Sequence, residues 1–378
     1  MKNAMKIRPF VASTLLLMAF ATTATADEPP LLRSSKSGDW SAKETWDQGR
    51  VPKAGDRVVI RTGHHVRYDA VSEEVIRLVQ IAGTLEFARD RSTRLEAGLI
   101  TIIASEEPSE EGFDCHAPTK TMHQGNEESS TRPALLVGRP GTPIPPEYSA
   151  IIRLHYIEGM DQASCPAIVC CGGRMEFHGA PIRKTWLKLR QRAEWAEGWK
   201  QGDHLIITST HRQRQGRGVG GDFLSGAQTE ERRLTGLSRR DFTGGYALRL
   251  DRPLAFDHDA DGNFRAEVAN LTRNVVVESA NPSGIRGHTM YHRNSAGAIE
   301  YAEFRHLGKQ GEKGRYSIHF HLVGETMRGS SVIGASIWDS HNRWITIHGT
   351  DALVVRDNVG YKSVGHGFFL ETGSEINN

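Results

Sequence analysis

The chain has 378 residues, of which 38% are hydrophobic and 24% are charged, and its formal net charge is +2. This is the composition of an ordinary globular protein, and the length corresponds to roughly two or three domains of about 150 residues each. Because the basic excess is so small, the composition argues against a nucleic-acid-binding protein, which would carry a clear surplus of lysine and arginine.

The first residues have the pattern of a secretory signal peptide (residues 1–26). Three basic residues precede an apolar run at 10–21, and small residues at 24–26 form a cleavage site. The run is too short to span a bilayer, and no later run approaches about 18 apolar residues. Cleavage would leave 44 basic and 45 acidic residues. We therefore expect a secreted, periplasmic or cell-surface protein whose mature chain has no transmembrane segment.

Short apolar or alternating runs bounded by Gly, Pro, Asn and Asp recur along the chain, and helical periodicity is almost absent. Examples are RVVIRTGHHVRYD, LVQIAGTLEF and GDHLIITST. Such runs are typical of β-strands separated by tight turns. Gly55-Asp56 and Gly202-Asp203 should form two of these turns, with the aspartate accepting hydrogen bonds from nearby backbone amides. The sequence thus predicts an all-β protein.

All the cysteines lie after the signal peptide: Cys115, Cys165, Cys170 and Cys171. An even number in an exported chain is compatible with two disulfides. Adjacent Cys170 and Cys171 cannot easily bond each other without strain, so each is expected to pair with Cys115 or Cys165. Metal binding by cysteine is the weaker interpretation, because the sequence has no C-x-x-C pair.

From about residue 266 two sets of strand-like segments return at spacings of roughly 20 to 33 residues, which is typical of a stacked solenoid. One set is NVVVES (274–279), AIEYAEF (298–304), SVIGASI (331–337) and ALVVRDN (352–358), and the other is HTMYH (288–292), SIHFHLV (317–323), WITIHGT (344–350) and GHGFFLE (365–371). We predict a parallel β-helix, with an ordinary β-sandwich as the alternative. Because the last coil has no cap, we expect a β-helix truncated at its C-terminal end, in a longer chain.

An ordered series of motifs covers nearly all of residues 38–371. It opens with GDWSAKETWDQGRVPKAGDRVVIRTGHHVRYD (38–69), continues through LLVGRPGTPIPPEYSAIIRLH (135–155) and GGRMEFHGAPIRKTWLKL (172–189), and ends with GRYSIHFHLVG (314–324). This series resembles the eight-glycine (G-8) domain family. The group includes the cell-migration-inducing hyaluronan-binding protein, the cell-surface hyaluronidase and the fibrocystin-like proteins.

The resemblance implies an all-β chain in which an eight-glycine domain precedes a right-handed parallel β-helix. We place the eight-glycine domain at residues 34–190, a connecting β region at 191–265 and the β-helix at 266–378. Some members of the group are linked to hyaluronan binding or depolymerisation, so the resemblance also implies an extracellular polysaccharide as partner.

Two histidines alternate with apolar residues in the segment SIHFHLV. Because the side chains of a strand alternate, His319 and His321 should point one way and Ile318, Phe320 and Leu322 the other. The apolar set is expected to face the core of the β-helix. That places the histidines on the outer surface, about 7 Å apart along the strand.

The neighbouring coils extend this pattern into a column. His348 follows His321 by 27 residues within the same alternation. Stacked strands lie about 4.8 Å apart, so the two imidazoles should be side by side. The coils before and after should add further side chains to the column: His288, His292, His366 and Glu371.

Several chemistries fit such a column, and the sequence leaves them open. The first is a metal site, in which His319, His321 and His348 chelate a zinc-like divalent ion, with His292 and His366 as further candidates. The second is metal-free acid–base catalysis by a histidine beside the carboxylate of the last coil. The third is passive sugar binding, and the fourth is a purely structural ladder of histidines.

Side chains beside the column are candidates for holding a polymer. Guanidinium groups pair with uronate carboxylates, and aromatic faces stack on pyranose rings. In the last strand Phe369 and Glu371 should point outward, and Phe368 and Leu370 inward. The substrate-binding candidates are Arg315, Tyr316, Arg343, Trp344 and Phe369, with Arg356 as a further cation.

Together these observations predict an exported protein that recognises an extracellular acidic, hyaluronan-like polysaccharide on the β-helix face. The enzymatic hypothesis is a hydrolase or a lyase that depolymerises it, with His319, His321, His348 and Glu371 as catalytic residues. The alternative is a non-enzymatic adhesion or carbohydrate-binding module.

Overall fold

The structure is a computed structural model that describes residues 28–110, 132–189, 196–210, 228–239, 246–258 and 264–378. The predicted signal peptide and Cys115 lie outside these residues. Strands dominate the described part of the chain, and short 3-10 helices lie at Lys43–Thr45 and Glu325–Met327. The predicted all-β class is confirmed.

Parallel coils begin close to the start of the described chain. Their strands are β1 (Leu31–Arg33), β2 (Gly38–Asp39), β3 (Arg57–Ile60), β4 (His65–Tyr68), β5 (Val71–Ile81), β6 (Thr84–Phe87), β7 (Thr93–Ile103), β8 (Ala134–Val137), β9 (Ala150–Leu154), β10 (Ala167–Cys171) and β11 (Arg174–His178). In β4, Val66 and Tyr68 are buried while His65 and Arg67 point outward, as the alternation of a half-buried strand requires.

An antiparallel sheet interrupts the coils. It is formed by β12 (Trp186–Lys188), β13 (His204–Ile207), β14 (Glu230–Arg239), β15 (Tyr246–Leu250) and β16 (Glu267–Asn270), in the order β12-β16-β13-β14-β15. Its outer residues Ile206 and Leu271 pack with Trp338 and Tyr361 of the later coils. The sheet is therefore docked on the side of the β-helix.

The parallel coils then resume and continue to the end of the chain. Their strands are β17 (Val275–Ser279), β18 (His288–His292), β19 (Ile299–Glu300), β20 (Ala302–Arg305), β21 (Ile318–Gly324), β22 (Ser331–Ile333), β23 (Ser336–Ser340), β24 (Ile345–Thr350), β25 (Val354–Arg356), β26 (Val359–Ser363) and β27 (Phe368–Leu370). From β9 onward each coil supplies one strand to each of two or three stacked rows.

Three rows of parallel strands make up the β-helix. The first row runs β9-β17-β20-β23-β26, the second β10-β18-β21-β24-β27, and the third β2-β4-β6-β8-β11-β19-β22-β25. The first two rows separate at β7, whose residues 93–97 pair with β9 and whose residues 99–103 pair with β10. The second row carries the segment that contains the predicted histidines.

One hydrophobic core runs through all the coils, from Leu32 in β1 to Leu353 beside β25. Apolar side chains stack in register between coils, as in the parallel rings of Tyr291 and Phe320, whose centroids are 4.8 Å apart. Burying one such side chain contributes about 1.5–3 kcal/mol, which rewards the repetition of apolar residues at the same position of each coil.

The parallel pairing is not confined to residues 266–378. Strand β10, within the predicted eight-glycine domain, pairs in parallel with β18, with Ala167 opposite His288. Strand β16, within the predicted β-helix, belongs to the antiparallel sheet instead. The segments 34–190 and 266–378 thus share one core, and the domain boundaries stay a prediction.

The predicted repeat is correct in one set and mixed in the other. The set that contains HTMYH and SIHFHLV forms the second row, from β18 to β27. The set that begins with NVVVES combines strands of the first and third rows, because AIEYAEF and SVIGASI each span a corner between two short strands, whereas ALVVRDN contains β25 of the third row alone. Both predicted Gly-Asp turns are present: Asp56 and Asp203 each accept a hydrogen bond from a backbone amide three residues earlier, at 2.8 Å.

The predicted disulfides are not found among the described cysteines. Cys165, Cys170 and Cys171 are buried free thiols. Burial raises the pKa of Cys170 and of Cys171 to about 12, so both remain protonated. Cys170 belongs to the apolar core of the β-helix, and Cys165 to a smaller cluster on its outer side, which keeps them apart.

Candidate functional site

The candidate site lies on the outer face of the second row. Strict parallel register places four side chains in one line across the coils: Cys171, His292, His321 and His348. The adjoining line contains Met290, His319, Thr346 and Phe369. The observed register confirms the prediction that His321 and His348 are neighbours.

The direction of the histidines follows the prediction, but their exposure does not. Ile318 and Phe320 lie in the core, and His319 and His321 point away from it. Yet His319 and His321 are only 1% and 3% exposed, so the prediction of an open surface column is wrong.

The connection between β20 and β21 (residues 306–317) accounts for this burial. His319 Nδ1 donates a hydrogen bond to the Gly314 carbonyl oxygen at 3.0 Å, and the ring of Tyr316 lies 4.8 Å from that of His319. Arg315 donates to the Ala163 carbonyl oxygen at 2.9 Å, which attaches the connection to the coil before. A segment adjacent in sequence therefore covers the face that alternation exposes.

The alternation also breaks at the end of β21. Leu322 has a φ of 52°, and the register shifts between His321 and Gly324. As a result Val323, and not Leu322, joins the core, so the prediction for Leu322 is wrong. This irregularity ends the regular strand directly after His321, as bulges often do near functional residues.

Three imidazoles converge at this place. One nitrogen of each of His319, His321 and His348 lies within 4.8 Å of the other two. Among the described residues, this is a group of side chains that could hold a metal ion. His321 Nδ1 and His348 Nδ1 are 3.0 Å apart. The rings of His319 and His348 are parallel with centroids at 6.2 Å. The three side chains thus surround one small space.

His319 is held in a defined tautomer. Because its Nδ1–H is given to the Gly314 carbonyl, its Nε2 carries a lone pair, and this buried atom has no hydrogen-bond partner among the described residues. Thr346, its neighbour in register, has an unpartnered buried Oγ1 in the same part of the chain. Burial, aided by the charge of His321, holds the pKa of His319 well below its ordinary value, so the imidazole is neutral.

The cluster opens toward the last coil. The side chain of His348 is 20% exposed, and its Nδ1 lies 4.0 Å from Glu371 Oε2. Arg343 forms an ion pair with the same carboxylate at 3.1 Å. The guanidinium carbon of Arg343 also lies 4.6 Å from the ring centroid of Tyr316 and 3.8 Å from that of Phe369. Arg343 is therefore fixed between two aromatic rings at the rim of the cluster.

The other predicted residues lie outside this group. His292 is buried beside His321, with ring centroids at 5.1 Å, but its Nδ1 faces Cys171 Sγ at 4.0 Å. Burial lowers the pKa of His292 to about 3. His366 is exposed and contacts the ring of Phe369 at 4.9 Å.

Two predicted contributors to polymer binding, Trp344 and Arg356, make contacts away from the three clustered histidines. Trp344 packs on the core, donates its Nε1–H to the Lys362 carbonyl oxygen at 3.0 Å and lies against the exposed ring of Phe368. Arg356 lies in the third row, away from the histidines, and pairs with Asp357. Phe368 and Leu370 are in register with core residues but are 51% and 53% exposed, so they are not buried as predicted.

Sequence reasoning missed two members of the site. Gly314 contributes a carbonyl oxygen, which no side-chain pattern reports, although the positive φ of 79° at this position explains the glycine. Cys171 extends the histidine line, and the interpretation of the cysteines as disulfide partners hid this position. Counting back one coil from His292 would have found it, once the coils were known to extend into the first half of the chain.

Comparison with protein families agrees with this architecture. The G8 domain family matches residues 45–190, and the CEMIP β-helix family matches residues 284–378. The chain thus contains one region similar to the G8 domain and another similar to the CEMIP β-helix. The second match contains the three clustered histidines and the last coils, and the first contains the coils that precede the antiparallel sheet.

Several named relatives share these regions. Fibrocystin-L of Mus musculus is 27% identical over 90% of the chain and 8% of the relative. Cell surface hyaluronidase CEMIP2 of Homo sapiens is 32% identical over 48% of the chain and 14% of the relative. Communication mutant protein F of Dictyostelium discoideum is 28% identical over 56% of the chain and 18% of the relative. The chain therefore spans less than a fifth of the length of each of these relatives.

Among the residues that the structure describes, no helix is long and apolar enough to cross a membrane.

Proposed function

We propose that this G8-domain chain is an exported protein that binds an extracellular acidic polysaccharide along the β-helix. We propose further that His319, His321 and His348 hold a divalent, zinc-like cation that serves depolymerisation of that polymer. The observation that carries the proposal is the buried Nε2 of His319, which has no hydrogen-bond partner in the described chain and lies in a cluster of three imidazoles.

The donor set fits such a cation. Three protein ligands and one free position are typical of catalytic zinc sites, and neutral imidazoles are suitable ligands. The hydrogen bond from His319 to the Gly314 carbonyl is the outer contact that usually orients a metal-binding histidine. The 3.0 Å between the nitrogens of His321 and His348 is close to the roughly 3.4 Å expected for two ligands in a tetrahedral site. When bound, the cation would supply Lewis acidity toward water and toward the oxygen atoms of the polymer.

The remaining residues of the site position and admit the substrate. Glu371 Oε2 lies 4.0 Å from His348 Nδ1 at the open side of the cluster, and Arg343 fixes Glu371 through the ion pair at 3.1 Å. Arg343 is also a cation at the rim of the cluster, where a uronate carboxylate could meet it. Phe369, stacked on Arg343, offers an apolar face at the same rim.

The named relatives support an extracellular, hyaluronan-related role. One of them carries the name cell surface hyaluronidase, and its similarity covers 48% of this chain. This likeness favours hyaluronan or a similar acidic polymer as the substrate, and a secreted, periplasmic or cell-surface location.

A second function, a binding module without catalysis, is favoured by one observation. Glu371, the predicted carboxylate partner for acid–base catalysis, already forms an ion pair with Arg343, and both side chains are mostly buried. The carboxylate is therefore engaged by a cation and is less suited to exchanging a proton with a substrate. In that function the histidines and Arg343 would contact a sugar without turnover.

The test is the size distribution of hyaluronan, chondroitin and a neutral glucan after incubation with the metal-loaded protein, with and without a strong chelator. The metal content of the purified protein is measured in parallel. We expect about one bound cation per chain and shortening of an acidic polymer that the chelator abolishes. The variant H348A should lose both, whereas H366A, which removes an exposed histidine outside the cluster, should keep both.

The other outcomes are equally informative. A folded, metal-loaded protein that shortens no polymer but binds one would establish the binding module. Shortening that persists in the chelator and in H348A would contradict the metal site. Ultraviolet absorbance of an unsaturated uronate product would identify a lyase, and uptake of oxygen from labelled water a hydrolase.

A further inference from the structure

A cavity lies where the antiparallel sheet meets the β-helix, at corners beside its third row. Its volume is about 210 Å³. It is built from other elements than the histidine cluster, namely β12 with the residues before it and two corners of the β-helix. The residues of its wall that matter here are Arg183, Lys184, Trp186, Lys188, Tyr301 and Asp357.

Hydrogen bonds from both sides fix the wall of this cavity. Thr185 Oγ1 donates to the carbonyl oxygen of Asp357 at 2.7 Å, which ties the wall to the β-helix. Trp199 Nε1 donates to the carbonyl oxygen of Lys184 at 2.8 Å, which ties the same segment to the antiparallel sheet. The cavity is therefore a preformed part of the junction between the two units.

The strand β12 presents an aromatic ring and a cation to the same side. Leu187 is buried in the core of the antiparallel sheet. Because side chains alternate along a strand, Trp186 and Lys188 point the other way, toward the cavity that they line. Trp186 is 39% exposed, so an indole face is accessible to a ligand.

The charges around the cavity favour an anion. Three cationic residues and one carboxylate line it. Asp357 is paired with Arg356 at 2.5 Å, and Arg183 with Glu197 at 3.4 Å. All four side chains are largely exposed, so both pairs contribute little, and the cations of the cavity still outnumber its one carboxylate.

The size and chemistry of the cavity define the ligand. The volume is below the roughly 300–1,000 Å³ of pockets for drug-sized molecules, and it suits a single ring unit. An accessible indole stacks on the apolar face of a pyranose, while guanidinium and ammonium groups bind a carboxylate or a sulfate.

We propose that this cavity binds one acidic monosaccharide unit of a polysaccharide, as a second contact point separate from the histidine cluster. The proposal rests on the proposed function for the identity of the ligand as a polymer. Two separate contacts on one rigid protein raise the affinity for a long polymer above that for a short one. The cavity would anchor the chain, and the histidine cluster would act on another part of it.

The experiment is titration of the purified full chain by calorimetry with three tetrasaccharides: one with uronate carboxylates, one that is also sulfated, and one that is neutral. The variants are W186A and K184E, with K36E, a charge reversal at an exposed lysine of the first coils, as matched control. We expect at least tenfold weaker binding of the acidic tetrasaccharides in W186A and K184E, and less than a twofold change in K36E. Thermal unfolding of each variant checks that it is folded.

Each result has a defined reading. If the wild type binds the acidic tetrasaccharides and the variants W186A and K184E bind them equally well, the cavity proposal is overturned and the proposed function stays intact. The same holds if the protein cleaves a polymer but binds no tetrasaccharide. Equal affinity for the neutral tetrasaccharide would overturn the acidic specificity. Neither binding nor shortening of any polymer by the folded wild type would overturn the proposed function itself. Stronger binding of the sulfated arm would identify sulfate, and equal binding of both acidic arms the carboxylate, as the group that is recognised.

Discussion

Two lines of polar side chains run along the outside of this β-helix, and they differ in how completely their polar atoms find hydrogen-bond or ion-pair partners. In the first row, register aligns Glu96, Arg153, Glu278 and Arg305 as a ladder of alternating charge. In the second row, register aligns Cys171, His292, His321 and His348. The first line is made of opposite charges, and the second has no charge opposite its imidazoles until Glu371.

The charged ladder completes its own contacts. Glu278 accepts from Arg153 and from Arg305, each at 2.6 Å, and Arg305 continues to Glu303 at 3.0 Å. The histidine cluster does not, since Nε2 of His319 has no partner in the described chain. A buried polar atom without a partner costs free energy, and our proposal is that a bound cation offsets this cost at the histidine cluster. The comparison favours a stabilising role for the first line and agrees with the proposed ligand-binding role of the second.

The largest effect should come from breaking the charged ladder. Replacing Glu278 by alanine leaves two guanidinium groups beside each other in a mostly buried position. We expect the free energy of unfolding to fall by about 3 kcal/mol. Urea denaturation measures this loss, and the metal content of the folded variant should be unchanged. Equal stability of the variant and the wild type would show that the ladder contributes nothing.

The same ladder gives a pH dependence with a definite sign. Burial acts to raise the pKa of Glu278, but the charges and hydrogen bonds of Arg305 and Arg153 outweigh it and lower this pKa. A carboxyl whose pKa is lower in the folded state stabilises the protein above its unfolded pKa of about 4.3, and this stabilisation is lost as the pH falls. The variant E278Q should therefore lose less stability than the wild type between about pH 5 and pH 3.

A smaller effect is expected from the cation at the histidine cluster. A ligand that binds only the folded state at a hundred times its dissociation constant stabilises it by about 2.7 kcal/mol. Zinc should therefore raise the unfolding temperature of the wild type and of E278Q, but not that of H348A. An equal shift in H348A would place the bound metal elsewhere.

The smallest effect on stability should come from replacing His319 by phenylalanine. This change removes the unpartnered Nε2, which relieves a cost of about 1–3 kcal/mol, but it leaves the buried Gly314 carbonyl without its donor, which adds a cost of similar size. The metal-free variant should thus have nearly the stability of the wild type, while its stabilisation by zinc is lost. A loss of several kcal/mol without metal would instead show that His319 is a structural residue.

Part of this fold and site could be predicted from local patterns alone. The alternation in β21 correctly directs Ile318 and Phe320 to the core and His319 and His321 away from it. The spacing of 27 residues correctly makes His348 the neighbour of His321. Both patterns are properties of strand geometry, which repeats every two residues and every coil regardless of the surroundings.

What lies over that face was decided by the tertiary structure. The connection at residues 306–317 covers His319 and supplies the Gly314 carbonyl, and no periodicity reports the path of such a connection. The continuity of the core across the antiparallel sheet, from β10 to β18, depends on contacts between residues more than a hundred positions apart.

The sequence by itself therefore determined the strands, the repeat and the side of the strand on which each histidine lies, because these depend on short-range geometry. Only the tertiary structure decided that the imidazoles are buried, that three of them converge and that the described cysteines, Cys165, Cys170 and Cys171, are thiols. Burial and convergence depend on which distant segments pack together, and packing is a property of the whole chain.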